Sequence, residues 1–442
     1  MSLLEHPEAV ALLADATVST QDVRDCRSHL AGFLKRYLPA FRRQEQRDHA
    51  AAFLRGLLSG LQRKSVEPIA RQAGIPRKNL QMFVGQGAWD DESIGSEMRR
   101  HVAEELGEPD GVIVLDPSGF PKKGQDSCGV ARMWCGRLGK KDNCQIGVFL
   151  AYVSSRGHAP LDRRLYLPKD WADDPARREA CHVPEDLKYQ KTWEIAADLL
   201  ARSGAEVPHG WVVGDDEFGR ASEFRALLRE RAERYVLDVP CNTNIRDPEG
   251  RRPPRKPGRY GKKREVPFVR ADTWAASLPT DRWTRLRIRD GHKGPVEVEA
   301  VVARVRAKLG RRVGPEERLL VIRTLDPKPE VTYSLSNAAA EVTLTEVVAV
   351  RSKRHRVERV FQEAKGEVGL AHYEVRSWVG WHHHVTLSLL ALWFLIRERQ
   401  RIGGENPGDD GLSGPGDLHR AAPQASAEVR RDRRGGQRGA AA

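Results

Sequence analysis

The sequence predicts an α/β protein in which a mixed sheet with flanking helices is preceded by an all-helical region and interrupted by a β-rich insertion. Three observations predict it. Through the first hundred residues, apolar positions recur at intervals of three and four, the period of a helix face. From residue 110, short apolar runs of strand length alternate with helical stretches. Between residues 283 and 299 the pattern becomes a two-residue alternation, the period of a half-exposed strand.

Size and composition narrow the classes. A chain of 442 residues suggests two or three domains and is ample for a buried core. Hydrophobic residues at 40% and ten Trp argue against a disordered chain. The longest apolar run, Val385 to Ile396, falls short of the roughly 20 residues a membrane span needs. Glu5, His6 and Glu8 interrupt any basic-then-apolar leader pattern, so a soluble, cytoplasmic protein is expected. A net charge of +13 favours a polyanionic partner without identifying one. The six cysteines contain no C-x2-C pair, and Cys128, Cys135 and Cys144 are spaced too irregularly for a zinc knuckle. Reduced, mostly buried thiols are expected.

Taken in order, Leu30, Phe33, Leu34, Tyr37, Leu38 and Phe41 form one helix stripe, with Thr20 and Asp22 at its cap. Ala50, Phe53, Leu54, Leu57, Leu58 and Leu61 form a second. Residues 65–84 read as two short helices about a turn at Gly74-Ile75-Pro76, with Arg77 and Lys78 opening the second. That outline fits a helix-turn-helix and an ordinary helical hairpin equally. Gly111–Leu115 and Trp211–Val213 are apolar strands leading to Asp116 and Asp215, and Cys144–Val153, Arg163–Leu167 and Tyr235–Val239 are further strands. Lys191–Arg202 and Arg220–Arg231 are helices. Residues 246–264 hold nine basic and two acidic residues among prolines and glycines that forbid regular structure. Trp283–Arg289, an Asp290-Gly291 turn, Val296–Glu299, Leu319–Thr324 and Val331–Leu335 make the insertion strand-rich. Helical signals resume near residue 343, and the run from Val385 is a buried helix opened by His382, His383 and His384. Three adjacent histidines on a helix point in different directions, which disfavours a metal role. Trp378 and Trp381 read as core anchors. The tail from residue 402 is rich in Gly, Pro, Ala and Arg and is expected to be disordered.

The chemistry concentrates at three carboxylates. Asp116 and Asp215 each end a predicted strand, where sites assemble in open α/β sheets, and such carboxylates suit Mg2+. Two aspartates are only suggestive, because aspartate also caps turns. A third group comes from the helix near residue 355, where Arg354, Glu358 and Lys365 are spaced by four and seven and share one face. A carboxylate flanked by cations along a stripe suits a metal-plus-phosphate site; a solvated face of ordinary ion pairs has the same spacing.

At these residues the chain resembles a known family. Arg354, Glu358 and Lys365 match most of the Y-(2)-R-(3)-E-(6)-K signature of one branch of bacterial insertion-sequence DDE transposases. The block from Val357 to Leu395 resembles their C-terminal segment, residues 115–132 their first-aspartate block with its continuation to residue 168, and residues 211–220 their second-aspartate block. The signature's Tyr falls on Arg351, a departure that loses an aromatic ring.

The resemblance implies an RNase-H-like catalytic domain with Asp116, Asp215 and Glu358 as both catalytic and metal-binding residues, holding two ions of Mg2+ or Mn2+. Asp216 and Glu217 rival Asp215, but Phe218-Gly219 then miss the motif's aromatic and glycine. Glu363 and Glu367 rival Glu358 but lack both flanking cations. Phosphate contacts are expected from Arg351, Arg354, Lys365, Lys122, Lys123, Arg255, Lys256, Lys262, Lys263 and Arg264, with Lys140 and Lys141 in support. The implied organisation is a helical region at 1–107, a catalytic domain at 108–245 and 341–400, a β-rich insertion at 246–340, and the tail at 401–442. The implied partners are double-stranded DNA, as terminal inverted repeats and target, and a second copy of the chain on that DNA. No membrane and no small-molecule substrate are expected. The implied activity is cut-and-paste transposition in the bacterial nucleoid. A domesticated or decayed transposase that only binds DNA, and an RNase-H-like nuclease without strand transfer, remain the alternatives.

Overall fold

The computed structural model describes residues 20–250, 265–291, 294–310 and 312–402. Five helices come first: α1 (Thr20–Tyr37), α2 (Gln44–Leu57), α3 (Val66–Ala73), α4 (Arg77–Gln86) and α5 (Asp91–Leu106). The unit Ala31–Gly411 carries the end of α1 and every later element. The α3–α4 turn is made by Gly74, which caps α3 at φ +65°, a conformation glycine adopts without steric cost. Helix α4 buries Leu80, Phe83 and Val84 and exposes Arg77, Lys78 and Met82.

The sheet begins with β1 (Val112–Pro121), β2 (Ala131–Cys135), β3 (Lys140–Ser154) and β4 (Gly157–Leu165). Two short helices, α6 (Lys169–Ala172) and α7 (Pro175–Ala180), lead to α8 (Thr192–Glu206), β5 (Trp211–Gly214), α9 (Asp216–Gly219), α10 (Ser222–Glu230) and β6 (Tyr235–Asp238). β3 lies antiparallel to β1 and β4, while β1, β5 and β6 are parallel. The order β4-β3-β1-β5-β6, with only β3 reversed among its neighbours β1 and β4, is the RNase-H-like arrangement the resemblance implied. Its central strands are apolar without alternation because both faces are covered: Val112–Leu115, Trp211–Val213 and Tyr235–Leu237 are all buried.

β7 (Asn244–Arg246) straddles the expected start of the insertion at residue 246, and β8 (Val269–Arg270), α11 (Ala271–Ala276), β9 (Thr284–Gly291), β10 (Gly294–Leu309), β11 (Arg312–Thr324) and β12 (Val331–Ser336) follow. These strands extend the same sheet, since β12 pairs with β6 and β11 with β12. Trp274, Val301, Val305, Leu319, Val321 and Leu335 form a core of their own there. Helix α11 lies before Trp283, in a stretch of the strand-rich insertion to which sequence patterning assigned no element. The chain then enters α12 (Leu344–Ser352), α13 (Arg354–Glu367) and α14 (Trp378–Arg401).

Helix α14 is long and apolar enough to cross a membrane, but it is packed inside the protein against β4, α2, α4, α5 and α13. His382, His383 and His384 are all buried in it. Its apolar length therefore serves a core spine that joins the N-terminal helices to the sheet. Most of the basic stretch 246–264 and the tail from residue 403 lie outside the described residues. Arg255, Lys256, Lys262, Lys263 and Arg264, expected to touch phosphate, are among those not described.

Candidate active site

Parallel pairing brings the carboxylates together. β1 pairs with β5 from Val112–Trp211 to Leu115–Gly214, and β5 with β6 from Val212–Tyr235 to Gly214–Leu237. The next residue on each strand is an aspartate: Asp116, Asp215 and Asp238. Neighbouring strands lie about 4.8 Å apart, so three carboxyl-bearing residues stand in a row at one edge of the parallel sheet. β1 does not end at Asp116, as its sequence suggests. It continues to Pro121 because pairing with β3 runs on from Asp116–Phe149 to Pro121–Cys144. Asp116 therefore sits where β1 parts from β5 while β3 still holds it.

The three aspartates have different surroundings. Burial, with the neighbouring Asp215, pushes the Asp116 carboxyl up to about 7 against the pull of Arg354 and Lys365. Burial raises Asp215 to about 6, aided by Asp216 and opposed by Arg354. Asp215 also caps α9, accepting from the Glu217 amide at 3.1 Å. Its two rivals point elsewhere: Asp216 accepts from Arg220 at 2.6 Å, and Glu217 accepts from the Thr192 hydroxyl at 2.9 Å. Asp238 is fully engaged. It accepts from Arg351 Nε and Nη2, each at 3.0 Å, from Arg354 Nη1 at 3.4 Å and from Ser334 Oγ at 2.6 Å.

Helix α13 supplies the other face. Lys365 Nζ donates to Ser118 Oγ at 2.7 Å, two residues beyond Asp116, and lies 5.5 Å from the centre of the Phe120 ring. Burial lowers the Lys365 ammonium, with Asp116 opposing. Arg354 reaches Asp238 and, at 3.6 Å, Glu358. Its Nε is buried with no hydrogen-bond partner among the described residues. The Glu358 side chain is 54% exposed and also lies 3.6 Å from His355. Contacts with His355 and Arg354 hold its carboxyl below the ordinary range despite partial burial. Glu363 is turned to Arg399 at 3.2 Å.

This donor set fits a divalent cation in kind. Two partly buried carboxylates, each raised, lie side by side and are all oxygen, the donor that Mg2+ and Mn2+ favour. It is not a closed metal cage: among the described residues no three His, Cys, Asp or Glu are gathered closely enough to hold an ion. Glu358 would complete the set by leaving Arg354.

Two expected phosphate contacts are placed differently. Arg351 stands where the signature has Tyr, and both its Nε and Nη2 are committed to Asp238. Lys122 is turned inward, with Nζ 3.4 Å from the centre of the Tyr373 ring and bonded to the Tyr373 carbonyl at 3.3 Å. Burial brings its ammonium down to about 8. Lys123 is exposed. Sequence reading missed Asp238 and Ser118. The signal for Asp238 was present, because it too ends an apolar strand, but only the register shows that it is level with the other two.

An RNase-H-like sheet with neighbouring aspartates at the open end of its parallel strands defines a nuclease-type scaffold. Residues 36–295 match the family model described as DDE superfamily endonuclease, and the chain belongs to that family. Asp116 and Asp215 lie inside the match and Glu358 beyond it. The chain is 26% identical over 190 residues to the probable transposase for insertion sequence element IS701 of Microchaete diplosiphon, covering 42% of this chain and 47% of that protein. It thus spans about half the length of the curated relative it matches. Among solved structures, the NurA nuclease from Sulfolobus solfataricus aligns over 58% of this chain and 79% of its own at 9% identity. Its TM-score of 0.25 is too low to bear on fold or function.

Proposed function

We propose that the chain is an insertion-sequence transposase that cleaves and joins DNA at the ends of its element in the bacterial nucleoid. Asp116, Asp215 and Glu358 are its catalytic carboxylates. The observation that carries this reading is the register of Asp116 and Asp215 across β1 and β5, with the Arg354–Glu358–Lys365 stripe of α13 facing them.

The three carboxylates would hold Mg2+ or Mn2+, with two ions as the proposed complement. When bound, divalent metal lowers the pKa of an attacking water or 3′-hydroxyl and neutralises charge on the phosphate. The chain's own residues do the rest. Arg354 lies close enough to Asp116 and Asp215 to act on both electrostatically, and its guanidinium is suited to a phosphate oxygen there. Lys365 is steadied by Ser118 so that its charge lies beside Asp116. Asp238 holds Arg351 and keeps Arg354 within reach of both neighbours. No side-chain nucleophile is needed, because water and then the freed 3′-hydroxyl attack phosphorus directly. The helical region 1–107 would recognise terminal inverted repeats, and a dimer on DNA would bring two ends together.

The test is cleavage and strand transfer on terminal inverted-repeat DNA with Mg2+. Asp116→Asn, Asp215→Asn and Glu358→Gln should each lower the rate by about 100-fold or more with binding unchanged. In parallel, Mg2+ should raise the melting temperature of the wild type and not of the two Asn variants. Three variants that cleave at the wild-type rate would refute the site. Cleavage without joining would favour the nuclease alternative.

A further inference from the structure

Trp134 is 60% exposed, the largest apolar side chain standing open among the described residues. It lies on β2, an edge strand whose paired neighbour is β3. An edge strand leaves its outer side open to another molecule. Here the surroundings are cationic. Arg132 shares its face two residues away, and Lys141 lies directly across the ladder from it. Arg137 follows in the connecting turn and Lys140 opens β3, and all four cations are exposed. Lys140 is paired with Asp142 at 3.0 Å, whereas Arg132, Arg137 and Lys141 make no ion pair among the described residues.

The hairpin also leans on the candidate site. A Cβ on Gly119 would come within 3.0 Å of Cys135 Sγ, so the end of β2 rests on β1 three residues past Asp116. Arg137 is close enough to Lys365 and His372 to influence both electrostatically. An aromatic ring flanked by unpaired cations, within electrostatic reach of Lys365, has the chemistry of a base-stacking platform.

We propose that the β2–β3 hairpin is a DNA-contact surface on which Trp134 stacks against an unpaired base of the strand leading into the site, while Arg132 and Lys141 hold its phosphates. This rests on the nuclease reading above and adds to it a preference for unpaired bases. A protein partner is the competing occupant. Leu138 in the same hairpin is also exposed, but Arg132, Arg137 and Lys141, which make no ion pair among the described residues, outnumber it and favour a polyanion.

The experiment uses the full chain and fluorescence anisotropy with a labelled single-stranded oligonucleotide and a blunt duplex of the same length. Trp134→Ala should weaken single-strand binding by about tenfold and duplex binding by less than about twofold. Trp134→Phe should restore most of the loss. Arg132→Gln with Lys141→Gln should weaken both and flatten the salt dependence by roughly 1.5 in the log–log slope. Wild-type single-strand affinity in Trp134→Ala would overturn the proposal. So would a change in mass in solution with DNA binding intact, which would make Trp134 a protein contact. If the wild type binds neither oligonucleotide, the nuclease reading itself fails and the hairpin's role with it. If instead Asp116→Asn cleaves normally while Trp134→Ala loses single-strand affinity, the active site is wrong and the hairpin stands.

Discussion

At the scale of single residues, the pair Asp238–Arg351 is the most informative. Their side chains are 12% and 17% exposed and joined by two hydrogen bonds of 3.0 Å. Removing Asp238 strips Arg351 of its partner, which typically costs on the order of 3 kcal/mol, and removing Arg351 leaves Asp238 only Arg354 at 3.4 Å and the Ser334 hydroxyl; removing both costs less than the sum because the shared pair is lost only once. Asp238→Ala and Arg351→Ala should therefore each destabilise strongly, and the double variant should lose roughly 1–3 kcal/mol less than their sum. Urea denaturation of the four proteins measures this. Strict additivity would show that Asp238 does not anchor Arg351. The pair also explains what the sequence could and could not disclose. Asp116, Asp215 and Glu358 are legible because each carries a local pattern: an apolar strand before it, or cations at helical spacing around it. Asp238 has the same local pattern as Asp215, but its role depends on Arg351, 113 residues away. A local pattern holds no record of such a partner. Arg351 reads alone as a phosphate cation; with Asp238 in place, it is a strut.

At the scale of elements, the turn from β5 into α9 sets how Asp215 stands to β6. Gly219 ends α9, and a Cβ there would lie 1.9 Å from the Asp238 carbonyl oxygen. Backbone cannot yield as a flexible side chain does, so Gly219→Ala must push α9 away from β6. The expected cost is about 2–3 kcal/mol in urea unfolding, within the range for forced overpacking. The Mg2+-induced rise in melting temperature should shrink, because Asp215 moves with the helix it caps. A variant as stable as wild type would mean that α9 and β6 are not packed this closely. Sequence reading identified the Phe218-Gly219 pair through the resemblance, and the structure supplies a physical need for the glycine. It ended β1 five residues early, because Asp-Pro-Ser resembles a strand terminus. Pro117 lacks an amide hydrogen, yet the ladder to β3 continues past it. β2 escaped notice because Ala131–Cys135 is too short and too cationic at its borders to stand out.

At the scale of the whole molecule, the strands of the insertion were legible but their destination was not. Alternation identifies a strand without naming the edge it will join, and here β12 joins β6, so that the insertion prolongs the sheet that carries the site. The run in α14 was legible as buried, and its histidines give the molecule an acid response with a defined sign. Burial brings His382 down to about 4, with Asp91 opposing and Arg163 and Arg164 assisting. Burial brings His384 down to about 3, with Lys122 and His372 assisting. Unfolded histidines titrate near 6.5, so both contribute stability that is present above pH 6.5 and is lost as pH falls toward 4 and 3. Asp116 and Asp215 act in the opposite sense. Their folded values, about 7 and about 6, lie above the unfolded 3.8. Their contribution is complete below pH 3.8 and is lost as pH rises toward 7. Between pH 4 and 6.5 the two pairs oppose each other, so metal-free wild type should lose less stability on acidification than a variant without the aspartates. Replacing both aspartates by Asn removes one side of the balance. That variant should lose roughly 5 kcal/mol more than the wild type between pH 6.5 and pH 4, with a profile steeper by up to about 2.7 kcal/mol per pH unit, and adding His384→Gln should remove about half of that excess slope. Urea unfolding in metal-free buffer at half-unit pH steps tests it. A double-Asn profile as shallow as that of the wild type would show that the carboxylates at the open end of β1 and β5 do not offset the histidines of α14.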